Sequence, residues 1–255
     1  MVETGKQKTD RKGERIAKAL ARAGVASRRG VERMIADGRV SVNGSVLGTP
    51  AFLVDGSEEI RVDGNVVGAA EETRLWMYHK PVDLIVSHHD PEGRPTVFEV
   101  LPEELPRVIS VGRLDLASEG LLLLTNNGAL AQHLEHPKTG WSRHYRVRAH
   151  GVPDDRKLDQ IRKGVTVDGI RYAPVQLDIE EGAGRSNRWY SLTLKEGKNR
   201  EIRKLMEFAG VRVNRLLRTS YGPFQLGKLQ PNTLKEVPRQ VLRQQLGGKA
   251  AEFGL

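Results

Sequence analysis

The stretch that most constrains the fold is 108–128, VISVGRLDLASEGLLLLTNNG. Its two apolar runs, Val108-Ile109-Ser110-Val111 and Leu121-Leu122-Leu123-Leu124, predict short buried strands. Between them lies a polar, glycine-containing loop that holds Asp115. A loop framed by two rigid strands fixes a side chain in space, so Asp115 has either a reactive role or that of a turn cap. Spacing alone favours the cap, because Asp is a common turn residue. Asn126-Asn127-Gly128 then predicts a turn, with a helix opening at Ala129 and running towards Leu134.

At 255 residues with 38% hydrophobic content, the chain is long enough for more than one domain and can fill a packed core. It contains no apolar run long enough to span a bilayer, and its polar, basic start lacks the apolar centre of a signal peptide. We therefore expect no membrane partner and a cytoplasmic location. The absence of cysteine excludes disulfides, thiolate nucleophiles and Cys-type zinc sites. His88-His89-Asp90 is no better as a metal site, since adjacent ligands rarely converge on one ion. Neither a phosphate loop nor a GxGxxG turn follows a strand, so nucleotide hydrolysis and dinucleotide chemistry are unsupported. We expect no cofactor and no metal.

The net charge of +9 is concentrated in two places. Residues 1–30 carry nine basic side chains against three acidic ones, and residues 195–218 carry eight against three. Neither patch is interleaved with bulky apolar residues as an interfacial helix would be, which favours nucleic acid as the partner. A solvated basic face kept for solubility is the plainer alternative.

Along the chain, residues 1–13 read as a flexible basic arm. Ile16, Ala19, Leu20 and Ala23 fall at helical spacing before Gly24, and Ser27 caps a second helix that stops at Gly38. Arg28 and Arg29 lie in the first turn of that helix, where positive charge opposes the macrodipole. A bound phosphate would explain them, and an ordinary exposed helix start is the equal alternative. Two alternating segments with tight turns follow, Arg39-Val40-Ser41-Val42-Asn43-Gly44 and Ile60-Arg61-Val62-Asp63-Gly64. A linker at 68–73 leads to strands at Leu75-Trp76-Met77-Tyr78 and Leu84-Ile85-Val86, then to a turn-forming loop and a short helix ending near Leu101. His144-Tyr145-Arg146-Val147-Arg148-Ala149 alternates as a strand, with Tyr145 on the apolar face beside Val147 and Ala149. A helix over 153–161 and strands at 175–179 and 189–194 come next. Another helix begins with Glu196-Gly197-Lys198-Asn199-Arg200-Glu201 and buries Ile202, Leu205, Met206 and Ala209. In that helix Arg203 could simply pair with Glu207. The polar tail at 241–255 is expected to be poorly ordered.

Gly112-Arg113-Leu114-Asp115, followed by Ser118-Glu119-Gly120-Leu121-Leu122-Leu123-Leu124-Thr125-Asn126-Asn127-Gly128, resembles the signature of the pseudouridine synthases that modify ribosomal RNA. Leu116-Ala117-Ser118 departs from the polar residue and Thr of many members, but Ser118 keeps the hydroxyl. Asp90-Pro91-Glu92-Gly93-Arg94-Pro95 also resembles this family, most closely its large-subunit branch. Residues 14–64, with Ser27-Arg28-Arg29 and Val40-Ser41-Val42-Asn43-Gly44, look like the small RNA-binding domain named after ribosomal protein S4. These resemblances imply an S4-type domain at 14–67 and a catalytic domain at 74–240. Their fold class is α+β, two helices and small strands followed by a mixed, largely antiparallel sheet flanked by helices.

For the site, the resemblance implies a catalytic Asp115, a Tyr145 that packs against the uracil, and an Arg203 that pairs with Asp115 and keeps it charged and aligned. It also implies RNA contacts from Arg22, Arg28, Arg29, Arg39 and Arg113. Such contacts position RNA without reading its sequence. The implied substrate is a uridine of ribosomal RNA, in the large subunit on branch alone. Nothing in the sequence indicates an oligomer, and a monomer is expected. Uridine isomerisation needs no redox, energy or metal, which agrees with the absent motifs. Asp115 could attack the anomeric carbon or remove a neighbouring proton, and both remain open. A non-catalytic RNA-binding assembly factor with a structural Asp115 is the rival reading.

Overall fold

A computed structural model describes residues 13–180 and 187–255. Residues 1–12 of the expected arm lie outside that set. The chain divides after Glu72 into two compact units.

The first unit contains β1 (Glu14–Arg15), α1 (Ile16–Arg22), α2 (Arg28–Ala36), β2 (Val40–Val42), β3 (Ser45–Val46), β4 (Leu53–Val54), β5 (Ile60–Val62) and β6 (Asn65–Val66). Ser27 caps α2 as expected, its hydroxyl accepting the Gly30 N–H at 3.0 Å. Ile16, Leu20, Val31 and Ile35 are the buried helix faces, packed with Val40 and Val42 of a four-stranded sheet ordered β3-β2-β5-β6. Asn43 and Gly44 (φ 49° and 81°) and Asp63 and Gly64 (φ 51° and 80°) form its two hairpin turns. Positive φ at both central residues matches the twist of the flanking strands, which explains the Asn-Gly and Asp-Gly pairs.

The second unit begins with β7 (Leu75–Lys80), β8 (Ile109–Val111), β9 (Glu119–Thr125), α3 (Gly128–Glu135), β10 (Arg143–His150) and α4 (Asp155–Lys163). It continues with β11 (Thr166–Val167), β12 (Ile170–Arg171), β13 (Gln176–Ile179), β14 (Asn187–Leu194), α5 (Glu201–Phe208), β15 (Arg212–Tyr221), β16 (Phe224–Gln225), β17 (Leu234–Glu236) and α6 (Arg239–Leu246). Its main sheet runs β13-β14-β10-β15-β9-β7-β17, with β16 on β15 and β8 on β9. All pairings are antiparallel except β9 with β15, giving the expected mixed α+β architecture. The four leucines of β9 are wholly buried because both faces of this strand are covered. Leu121 and Leu123 pack under α3 and α6, while Leu122 and Leu124 pack with Trp76, Tyr78 and Leu114.

The parallel join is short, matching Glu119 to Leu217 and Gly120 to Arg218. Gly120 has φ +105°, and a Cβ there would lie 2.3 Å from the Arg218 carbonyl oxygen. No side chain fits without parting the two strands. Gly120→Ala is expected to cost about 3 kcal/mol or more, read as a lowered denaturant midpoint.

Three expectations need correction. The strand at 84–86 is only a single bridge, Ile85 to Thr96, because Asp83 turns the chain with φ 64°. The helix expected from Glu196 starts at Glu201, since Gly197 and Asn199 are poor helix formers and Arg200 adopts a left-handed conformation with φ 51°. The tail is ordered: α6 runs into a 3-10 turn at Gly247–Phe253, and Leu242, Leu246, Ala250 and Phe253 are buried. Asn127, the cap of α3, holds it by donating to the Phe253 carbonyl at 3.3 Å. Apolar residues at roughly every fourth position carried that signal.

Candidate active site

Asp115 sits where the sequence placed it, in the loop between β8 and β9, and the backbone of that loop is held at every carbonyl from 115 to 118. The Lys80 ammonium at the end of β7 donates to the carbonyls of Asp115 (3.2 Å), Leu116 (3.4 Å) and Ser118 (2.8 Å), and to Pro81 (2.8 Å). The fourth carbonyl, Ala117, accepts from Arg203 Nη2 at 2.8 Å. Asp83 N–H bonds Leu116 O at 2.9 Å, and Ser118 N–H turns back to Asp115 O at 3.0 Å. On the other side, Gly112 N–H bonds Glu135 of α3 at 2.6 Å. A loop with its polar backbone groups thus occupied has little freedom left, and its carboxylate is held in one place.

Lys80 is wholly buried. Burial pulls its ammonium down to about 8, against the opposing pull of the nearby Asp83, Asp115 and Glu119 carboxylates. Sequence reasoning does not single out this residue. Its signal was position: Trp76, Tyr78 and Lys80 share one strand face, and the first two belong to the core. A lysine on that face must meet acceptors.

The Asp115 carboxylate, 35% exposed, opens into a cavity of about 90 Å³ lined by Arg113, Tyr145, Lys198, Arg200 and Glu201 among others. Tyr145 comes from β10, half-buried on the apolar face as predicted, and joins the clusters on both sides of the cavity. Arg113 is exposed at its rim.

The expected pairing of Arg203 with Asp115 is not what the structure shows. The cation at ion-pair distance is Arg200, with Nη1 3.9 Å from Asp115 Oδ2. Arg203, from the first turn of α5, spends its guanidinium on the backbone, reaching Ala117 O and also Val213 O at 3.3 Å. Burial and the neighbouring Arg200 lower its pKa, while Asp115 raises it, so the carboxylate is still felt there. Starting the helix at Glu196 hid Arg200, whose left-handed backbone at the end of the loop turns its side chain towards the cavity.

Of the expected RNA contacts in the first unit, Arg28 and Arg29 are exposed and have no acidic partner among the described residues. Arg22 instead pairs with Glu14, and Arg39 makes a two-pronged bond to Asp63 at 2.6 and 2.8 Å. Among the described residues no cluster of side chains could hold a metal ion. His88 stacks on Phe98 with ring centres 3.7 Å apart, and Asp90 is engaged by Arg94.

Two family models match the chain: the S4 domain over residues 14–60 and the RNA pseudouridylate synthase over residues 74–208. A relative from Rickettsia prowazekii (strain Madrid E), named as an RNA pseudouridine synthase, is 46% identical over 232 residues, 91% of this chain and 97% of its own. A ribosomal large subunit pseudouridine synthase B of Pasteurella multocida (strain Pm70) is 43% identical over 225 residues, covering 86% of this chain and 65% of its own. The crystal structure of a pseudouridylate synthase superposes with a TM-score of 0.64 at 22% identity, over 91% of this chain and 99% of that one, and shows the same fold. With a matching family model over more than half its length and near-full-length relatives, the chain belongs to the RNA pseudouridine synthase family.

Proposed function

We propose that the protein isomerises one uridine of large-subunit ribosomal RNA to pseudouridine, with Asp115 as the reacting carboxylate. The observation that carries this is the contrast within one loop: the carbonyls of 115–118 are all engaged, while the Asp115 side chain opens into the cavity beside Tyr145 and Arg200. The relatives named as large-subunit synthases support the choice of RNA.

The reaction breaks the bond from N1 of the base to the sugar and forms one from C5. The base loses its C5 proton and gains one at N1, so no redox partner or cofactor is needed. The target uridine must leave its stack, at a cost of about a few kcal/mol that RNA contacts offset. Asp115 acts at the sugar, by attack on the anomeric carbon or by removal of the neighbouring proton. Tyr145 supplies a stacking surface for the detached uracil. Arg203 holds the loop in place, and Arg200 keeps a positive charge beside the carboxylate. Arg113 contacts the RNA backbone at the rim, and Arg28 and Arg29 with the start of α2 take phosphate. We read the protein as a cytoplasmic monomer.

Release of tritium from RNA labelled at C5 of uridine tests this directly. Release is expected from large-subunit RNA; release only from small-subunit RNA would overturn the substrate, and none from either would favour a non-catalytic assembly factor. Replacing Arg28 and Arg29 together by Ala is expected to lower the slope of log affinity against log salt by about 1 to 2, measured by titration of the same RNA.

A further inference from the structure

Two carboxyl groups for which the proposed chemistry has no use flank the loop that presents Arg200. Glu201, the first residue of α5, is 4% exposed. Its Oε2 accepts the Lys198 backbone N–H at 2.9 Å, while Oε1 is buried with no donor among the described residues. Glu196, at the other end of the loop, lines the same cavity as Glu201, and Lys198 engages both carboxyl groups, one through its ammonium and the other through its backbone N–H. Glu196 also accepts the Ala173 N–H at 2.8 Å.

Two neighbouring carboxylates repel when both are charged, and a buried carboxyl oxygen without a donor is the natural place for a proton. Their surroundings decide which group keeps it. Glu196, against its own burial, is held low by the Ala173 N–H and by Lys198. Glu201 has one backbone donor, and burial with the adjoining Glu196 charge pushes it up to about 7.

We propose that Glu201 is a positioning residue: as a neutral acid it donates to the Glu196 carboxylate, ties the two ends of loop 196–200 together, and so holds Arg200 against Asp115. The inference rests on Asp115 being the reacting group. Arg200 has φ 51°, a conformation a side chain of this kind keeps only when its surroundings enforce it. The tie between Glu196 and Glu201 and the Lys198 N–H bond supply that enforcement. The other titratable or charged groups around the pair are Lys198 and Arg200 on the loop, Tyr172 after β12, Asp115 and Arg113 on the facing loop, and Tyr145 of β10. The Lys198 ammonium pairs with Glu196 and lies 5.6 Å from the centre of the Tyr172 ring. Because Glu201 is raised above its ordinary 4.5, closure of the loop is complete below that value and is lost as pH rises through about 7.

The test compares the wild-type protein, Glu201→Gln and Glu201→Ala on C5-tritiated large-subunit RNA from pH 5.5 to 9. In parallel, hydrogen exchange is followed at the Lys198 amide of the free protein and corrected for the intrinsic rate. Wild-type kcat is expected to fall about tenfold through a single ionisation near pH 7, with KM little changed. Glu201→Gln, whose amide donates to Glu196 at every pH, should lose that limb and rescue kcat on the alkaline side. Glu201→Ala should be about tenfold slower throughout. Protection of the Lys198 amide should decline above pH 7 in the wild type, persist in Glu201→Gln and be absent in Glu201→Ala. A wild-type limb retained by Glu201→Gln, or equal protection in all three proteins, overturns the proposal. Absence of turnover with the pH-dependent protection intact instead overturns the reading of Asp115 and leaves the loop closure standing.

Discussion

Asp115→Asn is expected to lower tritium release at least about 10³-fold while RNA affinity and thermal stability stay near those of the wild type. The size of the effect follows from chemistry: the amide has nearly the same shape but neither attacks carbon nor accepts a proton at neutral pH. Stability should hardly change, because the side chain's ion pair is a 3.9 Å contact with the half-exposed Arg200, worth little in water. The bonds that fix the loop run to its backbone, which the substitution leaves in place. Single-turnover measurement at saturating RNA isolates the chemical step. An Asn variant within tenfold of the wild type would return Asp115 to the role of a turn residue.

Lys80→Met is expected to cost about 3 kcal/mol of stability, read from denaturant unfolding, and to reduce kcat by at least about tenfold. A buried charge can often be exchanged for an apolar residue at little cost when its partner leaves with it. Here the partners are main-chain carbonyls that stay behind, that of Ser118 inside a residue 2% exposed. The Asp115 and Leu116 carbonyls keep the Ser118 and Asp83 N–H groups, but those of Pro81 and Ser118 lose the ammonium that serves them, and the buried Ser118 carbonyl bears the desolvation penalty. The pH dependence supplies a second signature. With a folded value of about 8, below the ordinary 10.5, the native state releases the Lys80 proton before the unfolded chain does. This group's stabilising contribution is therefore fully present above 10.5 and is lost as pH falls through about 8. Stability should carry an upward slope between those values, and Lys80→Met should remove it.

Much of this protein is decided within short stretches of chain. The glycine turns at 43–44 and 63–64, the Ser27 cap, the leucine run of β9 and the alternation around Tyr145 each depend on local sterics or periodicity, and each stands in the structure as predicted. The family signature likewise lies in one continuous string. The electrostatic partners of Asp115 were not legible in the same way. Lys80 comes to the loop backbone from β7 and Arg203 from α5, while Arg200 is the cation at the carboxylate, so pairing Arg203 with the carboxylate itself assigned the right neighbourhood but the wrong atoms. Arg200 was hidden because the helix was begun too early, at Glu196, whereas the backbone runs as a loop to Arg200 and Glu201 reaches back to Lys198. The C-terminal segment looked too polar to pack, yet its few apolar side chains cover a sheet face that only the assembled strands create. The sequence alone determined most of the elements, because those follow from interactions between residues a few positions apart, and its resemblance to a family signature singled out Asp115 as the reactive candidate. Only the tertiary structure decided what holds that candidate, because those contacts join residues distant in sequence, and burial changes the ionisation of the groups involved.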